Sequence, residues 1–183
     1  MGGSSSSSSA GSSPAERITR ATHELRAAIA EYEAATDEQS QYQLVHAYAM
    51  LGQAHDAIAR YRGKDDLVSL RCLAQAYVAD GRWPEAEATI ALAPDDPFML
   101  EQQAEMFSRT GREEDALATW QRALDANPHS IGGHYMRAFL LDRLGRRDEA
   151  IGEWEAIIAW SRARGNDEDV EWPEREIARL RSA

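Results

Sequence analysis

The chain contains one cysteine, Cys72, and one lysine, Lys64. A lone cysteine rules out an intramolecular disulfide, so the fold is not a disulfide-stapled one, and a reducing compartment, the cytoplasm, is expected. Cys72 reads as a mildly buried, inert thiol rather than a nucleophile. No stretch approaches the roughly 18 apolar residues of a membrane-spanning helix, and strand-like alternation of apolar and polar residues is absent, which leaves an all-α class. The common chemical signatures are missing too: there is no HExxH, no CxxC, no glycine-rich phosphate loop and no GxSxG. His23, His46, His55, His129 and His134 are scattered. Only His129 and His134 lie close enough to suggest half a zinc site, and no cysteine pair completes it. We therefore expect no catalysis, no metal and no cofactor. Positive charge is also short, with 20 Lys and Arg against 31 Asp and Glu and a net charge of −11. Such a surface does not neutralise phosphates, which argues against nucleic acid and against an anionic membrane. It weakly favours a neutral or basic partner, and it also keeps the chain in solution.

Residues 1–13 are nearly all Gly and Ser. They lack the basic start and apolar stretch of a secretory signal, so a flexible tail is expected there. The bias to arginine over lysine, with much alanine, is that of a GC-rich bacterial genome.

The abundant feature is a spaced register that recurs four times. Gly52, Gly81, Gly111 and Gly145 are each followed five residues on by Ala57, Ala86, Ala116 and Ala150. Four residues further come Tyr61, Ile90, Trp120 and Trp154. Four residues before each glycine stands Tyr48, Tyr77, Phe107 or Leu141, and seven before it Val45, Ala74, Ala104 or Ala138. These spacings put one buried face on a first helix, a left-handed glycine at its end, and a second helix crossing closely at the alanine. No single pair buries its whole apolar face, so neighbouring pairs must stack.

The register resembles the tetratricopeptide repeat. Residues 97–130 match best, through Leu100, Ala104, Phe107, Gly111, Ala116, Trp120, Ala123 and Pro128. Residues 131–164 follow, with His134 where a bulky apolar residue is usual and Arg162 where proline is usual; without that proline the second helix is expected to run on. Earlier units fall at about 38–66 and 67–96. The glycines recur at spacings of 29, 30 and 34 residues, against a family period of about 34, so the first two second helices should be about a turn short. The resemblance implies an all-α, right-handed superhelix of about four antiparallel helix pairs, spanning 14–183. A helix over 14–36 (Ile18, Leu25, Ile29 and Tyr32 on one face) should cap the N-terminal end. A helix over about 168–182, carrying Val170, Trp172, Ile177 and Leu180, should cap the C-terminal end.

In this family the first helices line a concave groove. The resemblance implies that Tyr42, Gln43, His46, Ala49 and Met50 point inward from the first unit, and Arg71, Cys72, Gln75, Val78 and Ala79 from the second. The third would supply Glu101, Gln102, Glu105, Ser108 and Arg109, and the fourth Tyr135, Met136, Phe139, Asp142 and Arg143. The groove candidates for partner contact are Tyr42, His46, Arg71, Gln75, Arg109, Tyr135, Met136, Phe139 and Arg143, with an apolar cluster at Tyr135, Met136 and Phe139. The Lys and Asn clamp with which some relatives grip a terminal carboxylate is not present. The function implied is non-catalytic binding of a peptide or protein segment, as an adaptor. One alternative is self-assembly into oligomers through an end face or an apolar patch, using Trp160 and Trp172. A lesser one is a small-ligand-binding or enzymatic helical-repeat protein.

Overall fold

The computed structural model describes residues 13–182, and the repeat register decides where its helices begin and end. In chain order they are α1 (Pro14–Ala34), α2 (Glu38–Met50), α3 (Ala54–Tyr61), α4 (Leu67–Asp80), α5 (Trp83–Ile90), α6 (Pro97–Arg109), α7 (Glu113–Ala126), α8 (Ile131–Arg143), α9 (Arg147–Ala163) and α10 (Glu171–Ser182). A 3-10 turn, Asp167–Val170, leads into α10. The expected tail, 1–13, lies outside the described residues except for Ser13. That residue is not free: its hydroxyl accepts from the Glu16 amide and the Glu16 carboxylate accepts from the Ser13 amide, a reciprocal cap on α1.

First and second helices start by different means. The first helices α2, α4, α6 and α8 are capped by Asp37, Asp66, Asp96 and Ser130, whose side chains accept the amides of Ser40, Ser69, Met99 and Gly133. The second helices α3, α5, α7 and α9 lack a side-chain cap. In three of them an arginine at the start grips a carboxylate in the first turn: Arg82 with Glu85, Arg112 with Asp115, and Arg146 with Glu149. Between the two helices of each pair the turn glycine is left-handed, with φ of +72° at Gly81 and +74° at Gly145. The amide after that glycine then returns to the carbonyl of Tyr48, Tyr77, Phe107 or Leu141, at 2.8–2.9 Å. The register residue four before each glycine therefore closes the turn as well as filling the core.

Each helix packs on its near neighbours in the chain, the arrangement of a solenoid. The chain is an all-α helical-repeat solenoid, with α1 and α10 at its two ends. The apolar interior has two large clusters that meet at α6 and a small third one of Ala74, Ile90 and Met99. One large cluster gathers Tyr48, Tyr61 and Tyr77 with their aliphatic neighbours, the other gathers Trp120 and Trp154 and extends to Ile177 and Leu180 of α10. Phe107 touches both. The short second helices are seen: α3 and α5 have 8 residues each, α7 has 14 and α9 has 17. α9 runs through Arg162, where the repeat pattern would have placed a proline.

Spacing between first helices is uneven. α2 packs on α4 and α4 on α6, but α8 rests on α7 and makes at most a passing contact with α6. A cleft follows between α6 and α8, and Trp120 of α7 reaches its floor.

Candidate functional site

The first helices line a groove of about 440 Å³. α2 contributes His46, Ala49 and Met50; α4 contributes Gln75, Val78 and Ala79; α6 contributes Glu101, Gln102, Glu105 and Arg109; α8 contributes Met136. Four of the groove candidates thus come together here: His46, Gln75, Arg109 and Met136. His46 and Met50 stand out into solvent, Met50 with 60% of its surface exposed. Arg109 is held by Glu105 at 2.7 Å and reaches towards the Val78 carbonyl at 3.4 Å. Oε1 of Gln75 is buried without a hydrogen-bond donor among the described residues.

Two other candidates are occupied by the fold. Arg71 grips both oxygens of Asp96, at 3.0 and 2.5 Å, while its Nη1 reaches Glu38 at 2.5 Å and the Tyr42 hydroxyl at 3.1 Å. The Asp96 bond pushes the Arg71 pKa upward and keeps its charge fixed. The Tyr42 ring stacks on Phe98 at 4.7 Å, and its hydroxyl donates to Glu38. This network joins the starts of α2, α4 and α6 and lines a second hollow beside the groove, together with Glu101 and Ser130. Cys72, among the positions expected to face inward, instead lies in the core with 0% of its surface exposed. Burial pushes its thiol up to about 12. It sits one position round the helix from Arg71, on the face that α3 covers.

The remaining three candidates sit at the C-terminal end, where α10 changes the surroundings of Tyr135 and Phe139. Trp172 comes within 5.3 Å of Tyr135, 5.7 Å of Phe139 and 5.2 Å of Trp154. Tyr135 and Phe139 also meet Trp154, edge-on, at 5.4 and 5.3 Å. They form one aromatic stack with a partly exposed rim rather than a free wall of the groove. Arg143 points to Glu113 at 2.9 Å.

Glu101 is the exception among the carboxylates near the groove. Its one hydrogen bond comes from the Ser130 hydroxyl, 2.6 Å away, which in turn caps α8 by accepting from the Gly133 amide. Burial raises its pKa; the Ser130 bond works against that rise and nearby Asp96 adds to it. The sequence held a signal for this. Glu105 has Arg109 one turn on, whereas the positions three and four away from Glu101 are Pro97, Phe98, Ala104 and Glu105, none of them a cation.

Elsewhere, Glu153 is buried between His134, at 2.6 Å, and Arg137. Its hydrogen bond pushes the His134 pKa upward. A crevice of about 460 Å³ between α9 and α10 is bridged by Arg162 with Glu174 and by Arg181 with Glu155. Among the described residues no group of three or more His, Cys, Asp or Glu side chains is placed to hold a metal ion. No helix there is long and apolar enough to cross a membrane.

No protein-family model matches the chain, and no curated protein matches it in sequence. Solved structures do match in shape. TTC0263, a thermophilic TPR protein in Thermus thermophilus, superposes with a TM-score of 0.63 at 18% identity, over 91% of this chain and 95% of that one. MamA from MSR-1 superposes with a TM-score of 0.50 at 20% identity, over 80% of this chain and 98% of that one. At such identities the likeness is one of fold, and it agrees with the glycine, alanine and aromatic register: the chain has the fold of the tetratricopeptide-repeat proteins.

Proposed function

We propose that the chain is a non-catalytic interaction module that takes a segment of a partner protein in the groove between α2, α4, α6 and α8. The observation that carries this reading is a division of labour among side chains. Residues at the starts of the first helices, Arg71 and Tyr42 above all, are spent on contacts between repeats. Further along, His46, Met50, Gln75 and Met136 line the groove without a side-chain hydrogen-bonding or ion-pair partner among the described residues, while Arg109 there pairs with Glu105. Exposed methionines adapt to varied apolar side chains, and an open groove of this kind suits an extended or helical segment.

The test substitutes two exposed groove residues, Met50→Glu with Met136→Glu, which leaves the core in place. Lysate of the source cells is passed over wild type and variant. Proteins retained by wild type and lost by a variant of equal helicity support the reading; an identical retained set moves the site off the groove.

Self-assembly is the second reading, favoured by α1. That helix has no buried residue, and Ile18 keeps 68% of its surface exposed. A mass that rises with concentration, lost in Ile18→Ser, would favour it.

A further inference from the structure

Resting on the groove reading above, we propose that the bound segment carries a lysine or arginine side chain, seated on the carboxylate of Glu101.

Several other carboxylates on the first helices and at the starts of their neighbours are already matched. Glu38 and Asp96 share Arg71, Glu105 has Arg109, Glu113 has Arg143, and Asp142 has Arg179. Glu101 accepts one hydroxyl hydrogen and pairs with no cation among the described residues. A carboxylate has room for about four hydrogen bonds, so most of its acceptor capacity is unused. Ionised carboxylates drawn out of bulk water are ordinarily matched by a cation or by several donors.

Position adds to the argument. Glu101 lines both the main groove and the adjoining hollow beneath Arg71, and it is the carboxylate common to the two. The gap between α6 and α8 brings it within reach of the groove. Gln75 also lines the groove, though its Oε1 is buried. The unused acceptor capacity of the Glu101 carboxylate calls for a ligand with N–H donors, which a guanidinium or an ammonium provides. Met50 and Met136 offer apolar surface in the same groove for neighbouring side chains of the segment. A cationic segment also meets a chain of net charge −11, which speeds encounter and repels acidic competitors. One carboxylate with an amide is too few ligands for a metal ion.

The experiment selects a displayed library of random short peptides on the immobilised full chain, as wild type and as Glu101→Gln. The variant keeps the size of the side chain and an oxygen for the Ser130 hydroxyl, and its melting curve verifies the fold. Wild type should enrich peptides with Lys or Arg at one aligned position, flanked by apolar residues. Glu101→Gln should lose the basic preference and keep the apolar one. Each enriched peptide is then resynthesised with glutamine for its basic residue. That change should weaken binding to wild type about ten-fold and leave binding to the variant nearly unaltered, so that the two changes are coupled. Enriched peptides without a common basic residue, or a basic preference that survives in the variant, overturn the inference while leaving the groove reading in place. Enrichment of no peptide by wild type over the bare support overturns the groove reading itself.

Discussion

Tyr61 and Trp154 stand at the same point of the repeat, nine residues after the turn glycine, and the two ends of the solenoid use that point differently. At the N-terminal end α3 and α5 have only 8 residues each, the point in question holds Tyr61 and Ile90, and two tyrosines of that end are tied down at their tips. The Tyr61 hydroxyl donates to Gln41 at 2.6 Å, and that of Tyr48 to Glu33 at 2.5 Å. At the C-terminal end the second helices have 14 and 17 residues, and the same places hold Trp120 and Trp154. Their indole N–H groups have no acceptor among the described residues. One end ties Tyr48 and Tyr61 to neighbouring elements with polar bonds; the other fills these points with apolar area and leaves two donors unmet. A longer second helix gives a large ring enough surrounding side chains to make this worthwhile. A short one does not, and a hydrogen bond makes up part of the difference.

The strongest way to break this comparison is Trp154→Ala. Trp154 is almost fully buried and touches Tyr135, Phe139 and Trp172. Its removal should cost about 3–5 kcal/mol in denaturant unfolding and should loosen α10, read as faster amide exchange at Ile177 and Leu180. A cost below about 2 kcal/mol, or an α10 protected as before, would mean that the C-terminal end does not depend on its aromatic stack.

How far the sequence leads can be judged from these same residues. The turn glycines, the alanine crossings and the short α3 and α5 were legible because each reflects a backbone or steric demand that one position imposes on its neighbours. Gly81 must be left-handed whatever lies around it. The run of α9 past Arg162 followed from a missing proline. The groove was legible only in part. Which helix face turns inward follows from the register, and this placed His46, Gln75, Arg109 and Met136 together. Whether an inward side chain is free does not follow, because that depends on partners in other repeats. Arg71 looks available until Asp96, 25 residues on, closes over it. Phe139 looks like an apolar wall until Trp172 of α10 stacks near it.

The comparison is sharpened by Tyr61→Phe, an intermediate effect. The substitution keeps the ring and removes one oxygen, leaving the buried Gln41 acceptor unpaired. The expected cost is about 1–2 kcal/mol. Packing arguments alone would put it near zero, so a negligible change would show that the N-terminal end too is held by area rather than by its polar tips.

Glu101 gives the smallest effect, with the opposite sign. It lies on α6, where the two clusters meet, and belongs to neither scheme: a carboxylate drawn out of bulk water with one hydroxyl for company. Burial holds its pKa above the ordinary glutamate value of 4.5. Between that value and the raised one, the folded chain binds more protons than the unfolded chain. Stability from this group therefore falls as pH rises through that window, and at neutral pH its charge is a net cost. Glu101→Gln should raise stability at neutral pH by less than about 1 kcal/mol, since solvent still reaches the site. The gain should vanish below about pH 4, where the wild-type side chain is protonated in both states. Melting curves of the two proteins across that pH range measure it. A loss of stability at neutral pH would mean that the charge supports the fold, and the reason to see Glu101 as reserved for a partner's cation would be gone. A gain identifies a position where folding alone would favour glutamine and the chain nevertheless holds glutamate, the pattern expected where a side chain serves binding at the expense of stability.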